Sequence, residues 1–228
     1  MKSRRDALGL AVALFTAAIC GAPVLAQAQT AYGITYIETA PKKAADARKL
    51  VAAYRDAAMK AQGVVQFDAL QRIGTPSHFA IVEAWSNTKA QEAFAASDTG
   101  KAFRKNIAPL MTSAYDERPH SALSVGGKQA KPGAIYAVTH VDIIPTKKDE
   151  GVSATKGLAD KSRSAVDALR FDALTQISRP NHMTIVESWK SKAAKDNFTV
   201  NAGLKAYREN LTPMSGSLYD ERLYRRVK

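Results

Sequence analysis

The sequence predicts an α+β protein in which two tandem ferredoxin-like units (β-α-β-β-α-β) form a barrel-like pseudo-dimer within one chain. Residues 67–118 align without a gap with residues 171–222 at a constant offset of 104, and 23 of these 52 pairs are identical. In each unit the hydrophobic spacing changes from that of a strand to that of a helix and back. A four-stranded sheet with helices on one face needs a cover for its other face, and the second copy supplies one.

The elements of the first unit follow from local patterns. Apolar residues spaced i, i+3, i+4, i+7 after Pro41 predict an amphipathic helix, and a Gly-Thr-Pro-Ser turn separates two β-prone runs. The predicted elements are strand 31–38, helix 47–61, strand 64–73, strand 78–85, helix 87–96, helix 99–110 and strand 111–118. In the second unit Gly151 and Gly157 interrupt the first helix, which predicts a poorer helix there.

The first residues predict an export signal. Three basic residues before position 6 precede an apolar run at 8–18, which is too short for a bilayer span of about 20 residues. Residues 26–28 (Ala-Gln-Ala) form a cleavage site, and residues 3–8 resemble a twin-arginine signal. We therefore expect a periplasmic or secreted protein with a signal peptide at 1–28. The remaining boundaries are a first domain at 29–122, a linker at 123–133 and a second domain at 134–228.

Composition narrows the function classes. The chain has 33 Lys+Arg against 21 Asp+Glu, for a formal net charge of +12. Its single Cys lies in the signal, so neither a disulfide framework nor a Cys-based zinc site is expected. Export argues against a nucleic-acid partner, and no later segment is apolar and long enough to predict a membrane span. We therefore expect the positive charge to increase solubility or to attract anionic ligands weakly.

Residues repeated in both units are the candidate site. Trp85 and Trp189 are the two tryptophans, and each is either the wall of an aromatic pocket or a core anchor. Glu83 and Glu187 share a strand face with apolar residues. Each is either a general base with a raised pKa or a partner in a salt bridge.

The other candidates are a pair of histidines, a pair of asparagines and one residue on the first strand of each unit. His78 and His182 point to the opposite strand face, as proton shuttles or as exposed histidines. Asn106 and Asn210 fall on helical stripes, where they reach a pocket or bond the helix end. The corresponding first-strand positions hold different residues in the two units, so two pockets would not be chemically equal. These positions are Tyr36 and His140.

One motif occurs twice: a strand ending in Ile-Val-Glu-x-Trp, then a short helix and a second helix ending in Phe or Tyr. It is written FAIVEAWSNTKAQEAFAASDTGKAF and MTIVESWKSKAAKDNFTVNAGLKAY. The pattern resembles the antibiotic biosynthesis monooxygenase superfamily of dimeric α+β barrels, which includes small quinol monooxygenases. The resemblance covers nearly all of the chain after the signal.

The resemblance implies a cofactor-independent monooxygenase acting on a quinol or polyphenol, with no metal and with pockets between sheet and helices of each unit. A related branch degrades haem. Many members carry His residues nine and fourteen positions after the Trp, where this chain has Phe94 and Thr99, then Phe198 and Gly203. The Asn that the haem-degrading branch carries on its first strand also has no equivalent. The alternative is therefore a non-catalytic periplasmic binding or stress module, with haem binding the weaker third option. The expected partner is a small aromatic molecule, and further homodimerisation stays open.

Overall fold

The computed structural model describes residues 29–127, 130 and 132–228. The predicted signal peptide lies outside the described residues. Across the part that is described, we find no helix with the length and hydropathy needed to cross a membrane.

The described elements follow the order β-α-β-β-α-α-β twice. The first unit consists of β1 (Ala31–Glu38), α1 (Ala44–Ala58), β2 (Val64–Arg72), β3 (His78–Trp85), α2 (Thr88–Ala96), α3 (Asp98–Ile107) and β4 (Asp116–Ser124). The second unit consists of β5 (Ile135–Asp142), α4 (Lys148–Ser162), β6 (Ala168–Gln176), β7 (His182–Trp189), α5 (Lys192–Thr199), α6 (Ala202–Leu211) and β8 (Asp220–Arg226). The helices α1 and α4, and α3 and α6, keep the offset of 104 at both ends. The repeat in sequence is thus a repeat in structure.

Local chemistry explains where the helices begin. A short 3-10 turn starting at Pro41 leads into α1. Asn87 caps α2, because its Oδ1 accepts the backbone N–H of Ala90 at 2.9 Å. Ser97 caps α3 through Oγ, which accepts the N–H of Gly100 at 3.2 Å. Such caps satisfy amide groups that have no partner inside the helix.

The eight strands close into a barrel in the order β1-β3-β2-β8-β5-β7-β6-β4. Each unit contributes a sheet ordered β4-β1-β3-β2 or β8-β5-β7-β6, and the two sheets join edge to edge at β2–β8 and β4–β6. Closure removes the sheet edges that a single unit would expose. The predicted intrachain pseudo-dimer is confirmed.

A buried carboxylate ties the units together at one junction. Asp68 on β2 is 2% exposed and accepts a hydrogen bond from the Tyr136 hydroxyl of the second unit at 3.1 Å. Arg226 on β8 donates to both groups, at 2.7 Å to the Tyr136 hydroxyl. At the other junction Asp172 accepts the backbone N–H of Gly126 at 2.8 Å.

The core has three parts. One apolar cluster lies between sheet and helices in the first unit, a second occupies the same place in the second unit, and a third fills the barrel. Strand alternation separates them, because successive side chains point to opposite faces. On β3, Ile81 and Trp85 face the helices, while Val82 and Ala84 face the barrel interior.

Several predicted elements differ from the structure. The helices expected at 47–61 and 99–110 are α1 and α3, and each ends three residues earlier than predicted. The last strand of the first unit was expected at 111–118 but is β4, because a 3-10 turn follows α3 and β4 extends to pair with β6 of the other unit. The first helix of the second unit is not interrupted, since α4 runs through both glycines. Gly151 is needed there: a Cβ at this position would lie 2.5 Å from Cγ1 of Ile143.

Candidate functional site

Glu83 is a buried carboxylate on the helix side of the first unit. It lies on β3, is 7% exposed, and accepts a hydrogen bond from Gln91 Nε2 of α2 at 2.6 Å. Gly33 on the neighbouring strand makes room for it, because a Cβ there would lie 2.6 Å from Glu83 Oε1. Burial raises the pKa of Glu83, and the hydrogen bond from Gln91 only partly opposes this. No full positive charge touches the carboxylate.

Glu187 occupies the same place in the second unit but has an ionic partner. Its Oε2 lies 3.1 Å from Nζ of Lys195 and accepts the Trp189 indole N–H at 2.8 Å. Lys195 is 1% exposed and also pairs with Glu221 at 2.9 Å. Burial raises the pKa of Glu187, and the Lys195 charge acts against that rise. The structure therefore shows both features that the sequence suggested for this residue, a raised pKa and a salt bridge.

Both tryptophans are fully buried. The Trp85 ring centroid lies 5.1 Å from that of Phe94, and the Trp189 ring centroid lies 4.7 Å from that of Phe198. Phe94 belongs to α2 and Phe198 to α5, so each indole packs beneath a ring of the helix layer. Contact with a ligand would come through Phe94 or Phe198.

A groove of about 590 Å³ opens between α4 and α6 in the second unit. Its apolar walls include Leu158, Phe198, Leu204 and Tyr207. The Tyr207 hydroxyl lies 2.9 Å from Oγ1 of Thr155 on α4, which fixes the orientation of its ring. The groove lies on the helix side of the sheet, but its lining residues all belong to helices and the loops beside them. It therefore opens between helices, whereas the resemblance implies a pocket between helices and sheet.

The matching position in the first unit is filled by Tyr54 of α1. Its ring is parallel to that of Phe103, with an interplanar angle of 2° and centroids 4.0 Å apart. It also stacks on Phe94 at 5.2 Å. Leu158 takes the place of Tyr54 in the second unit, so among the described residues no ring lies between Phe198 and the α6 tyrosine.

Several buried polar atoms of the second unit have no hydrogen-bond partner. They include Tyr219 Oη, Glu187 Oε1 and Arg208 Nε. Buried polar atoms are nearly always paired, so three unpaired atoms in one cluster can bond a polar group brought by a ligand or by water. The ring of Tyr219 lies 6.4 Å from that of Tyr207, which places this cluster next to the groove.

A second cavity, of about 440 Å³, lies at one mouth of the barrel and brings together three predicted site residues: Tyr36, His140 and His182. His140 Nε2 is 3.2 Å from His182 Nδ1, whose ring reaches Asp142 through Nε2 at 3.3 Å. Burial lowers the pKa of His140 to about 4, so its ring is neutral at pH 7. The arginines and acids of this mouth are largely paired with one another, as in Arg118–Asp116.

The structure separates the four predicted acid–base residues. The histidines lie on the strand face opposite the two glutamates, so no single pocket uses all four. His78 lies 3.6 Å from Glu38 at the start of its strand. Asn106 is exposed on α3, and Asn210 lies at the rim of the α4–α6 groove.

Sequence reasoning missed Lys195, Tyr219 and Arg208. The last two belong to repeated segments and were available as signals. Lys195 was harder to find, because the equivalent position of the first unit holds a different residue, Gln91. Among the described residues no group of three or more His, Cys, Asp or Glu side chains is arranged to hold a metal ion.

The fold and the site define a class: a ferredoxin-like α+β barrel whose two halves belong to one chain, with a groove between the helices of its second unit. Residues 31–106 match the family model for antibiotic biosynthesis monooxygenase. The match covers most of the first unit.

Solved structures agree on the fold. A provisionally assigned monooxygenase from Fusobacterium nucleatum superposes with a TM-score of 0.80 at 16% identity, covering 88% of this chain and 94% of its own. A similarly assigned protein from Lactobacillus acidophilus superposes with a TM-score of 0.73 at 15% identity, covering 88% of this chain and 95% of its own. An anthrone oxidase-like protein superposes with a TM-score of 0.68 at 14% identity, covering 88% of this chain and 92% of its own. No curated protein matches the sequence.

Proposed function

We propose that the protein is a cofactor-independent monooxygenase that oxidises a quinol or polyphenol bound in the α4–α6 groove. The open groove beside a buried cluster of ionisable groups carries the proposal. Apolar, aromatic-lined concavities with a few polar groups at one end are typical small-molecule sites. Of the two cavities described above, the groove has apolar walls that suit an aromatic ring, whereas the barrel mouth is lined mainly by paired charges.

The reaction needs no electron donor besides the substrate. A hydroquinone and O₂ give a hydroxyquinone and water: one oxygen atom enters the ring, the other leaves as water, and the quinol supplies the electrons. The protein must then bind the ring, exclude water and favour the electron-rich phenolate. Lys195 and Arg208 supply positive charge that would stabilise a phenolate, and the free oxygen of Glu187 could accept its proton.

Oxygen uptake tests the proposal. Purified mature protein, freed of metal, is incubated with a panel of quinols, and uptake above autoxidation is expected for at least one. Leu158→Tyr refills the groove as Tyr54 does in the first unit and should abolish this uptake. Leu218→Tyr is the matched control, because residue 218 is 90% exposed and does not line the groove. Uptake that survives Leu158→Tyr would contradict the assignment of the site.

One observation favours a second candidate, a non-catalytic binding module. Phe198 stands where many relatives carry a His, so the groove has no imidazole at that position. Tight binding of an aromatic compound without oxygen uptake would support this alternative. Haem is titrated in the same samples, and a shifted Soret band would indicate haem binding instead.

We also propose that the chain is exported and that the mature protein begins near Gln29. The charged start, the short apolar run and the Ala-Gln-Ala site support this. Intact-mass measurement on protein from the native host should show the loss of about 28 residues, in line with the usual length of export signals. A full-length cytoplasmic product would exclude it.

A further inference from the structure

We infer that Tyr54 is a built-in phenol that permanently fills the first unit's pocket, so that each chain has one ligand-binding pocket, the groove of the second unit. The inference relies on the proposed site but not on catalysis. It also specifies the ligand: a phenol whose ring stacks between Phe198 and Tyr207. The repeat supplies the argument, because the filled pocket shows what the open one would hold.

The filled pocket is a sandwich of aromatic rings. Tyr54 is 8% exposed and lies against Phe103 and Phe94 at the stacking distances given above. Stacked aromatic rings attract one another beyond the burial of their area. The side chain of a tyrosine is a para-substituted phenol, so a free phenol offers the same flat faces.

The open pocket has the same walls without the filling. Phe198 and Tyr207 replace Phe94 and Phe103, and both line the groove. The covering helix has lost volume at three positions on its groove face. Relative to α1, α4 carries Ala154 for Leu50, Gly157 for Ala53, and Leu158 for Tyr54.

The polar end of the pocket matches as well. Tyr115 and Glu83 are close enough to the Tyr54 hydroxyl to add to the rise in its pKa that burial causes. Their counterparts in the second unit are Tyr219 and Glu187, which contribute the unpartnered Oη and Oε1 atoms. A phenol placed like Tyr54 would bring its hydroxyl to these atoms.

Binding stoichiometry of p-cresol, the free form of the tyrosine side chain, tests the inference. Calorimetry on the mature protein should give one site per chain. Tyr54→Leu copies the second unit and should give two sites. Tyr54→Phe keeps the ring and should stay at one, and Leu158→Tyr should lose the single site.

Folding of each variant is checked by circular dichroism. If Tyr54→Leu does not fold, the inference is tested with Leu158→Tyr and Tyr54→Ala. In that case p-cresol should raise the melting temperature of Tyr54→Ala more than that of the wild type. Two sites in the wild type, one in folded Tyr54→Leu, or undiminished binding in Leu158→Tyr would overturn the inference. If the wild type binds one p-cresol per chain but consumes no oxygen with any quinol, the proposed function is refuted and the inference stands.

Discussion

Lys195 offers a test of how the second unit tolerates a buried charge cluster. Its Nζ lies 3.1 Å from Glu187 and 2.9 Å from Glu221, and the residue is 1% exposed. Lys195→Met keeps the length of the side chain and removes the charge. Little cavity forms, so the change in stability measures mainly the electrostatics.

The expected cost is large because the buried Glu187 loses its cation, while Glu221 keeps Arg208 at 3.6 Å. Removing one partner of a buried ion pair typically costs about 3–5 kcal/mol. Lys195→Gln should cost less, about 1–3 kcal/mol, the range for a weakened buried hydrogen-bond partner. The reason is visible in the first unit, where Gln91 donates to Glu83 from the equivalent position.

The cost should depend on pH. Burial already raises the pKa of Glu187 in the folded state, and Lys195 opposes that rise. Without the lysine the folded pKa rises further above the unfolded value. A raised folded pKa favours the folded state at low pH, and that advantage is lost as the pH increases through it. The penalty of Lys195→Met is therefore smaller at pH 5 than at pH 8.

Urea unfolding at both pH values measures the effect, with unchanged m-values required for the comparison. Lys192→Met is the matched control on the same helix. Its charge is exposed and pairs with Asp196 at i,i+4, so about 0.5 kcal/mol or less is expected. A Lys195→Met cost below about 1 kcal/mol, or one equal at both pH values, would refute the reasoning from buried ion pairs.

Three further outcomes are expected. Gly151→Ala places a Cβ against Ile143 and should lower the free energy of unfolding in urea by about 1–3 kcal/mol. The Cβ of Gly157→Ala meets nothing within 4 Å, so this substitution should raise it by about 0.5–1 kcal/mol. The opposite order of the two variants would contradict the helix placement. The pKa of His140 should be about 4 by NMR titration, and a midpoint above 6 would contradict its burial. Residues 29–124 expressed alone should dimerise or aggregate, because both junction edges are exposed; a stable monomer in sedimentation would argue against the shared barrel.

Much of the fold could be predicted from the sequence because it is written twice. The ungapped offset of 104 fixed the unit length, and strand alternation correctly separated Glu83 and Trp85 from His78. The barrel followed from the need of each sheet to cover its second face. These predictions depend on local periodicity and on burial, which a sequence records directly.

The rest depends on tertiary pairing. The bounds of β4 are set by its partner β6 in the other unit, which no local pattern reveals. The meeting of Tyr36 with His140 at the barrel mouth likewise comes from closure across the two units. The closed pocket of the first unit arises from one ring, Tyr54, that a periodicity argument assigns simply to the core.

With the groove as the proposed binding site, stability and function are divided between the halves of the chain. The Tyr54 sandwich is a packed core, whereas the second unit keeps an open groove and polar atoms without partners, features that cost stability. Sites that await a ligand are often strained in this way, and the cost is offset elsewhere in the fold. In a dimer of identical chains both pockets would carry the same residues. Here one chain encodes both halves, so the first unit can be filled while its edges still complete the barrel around the second.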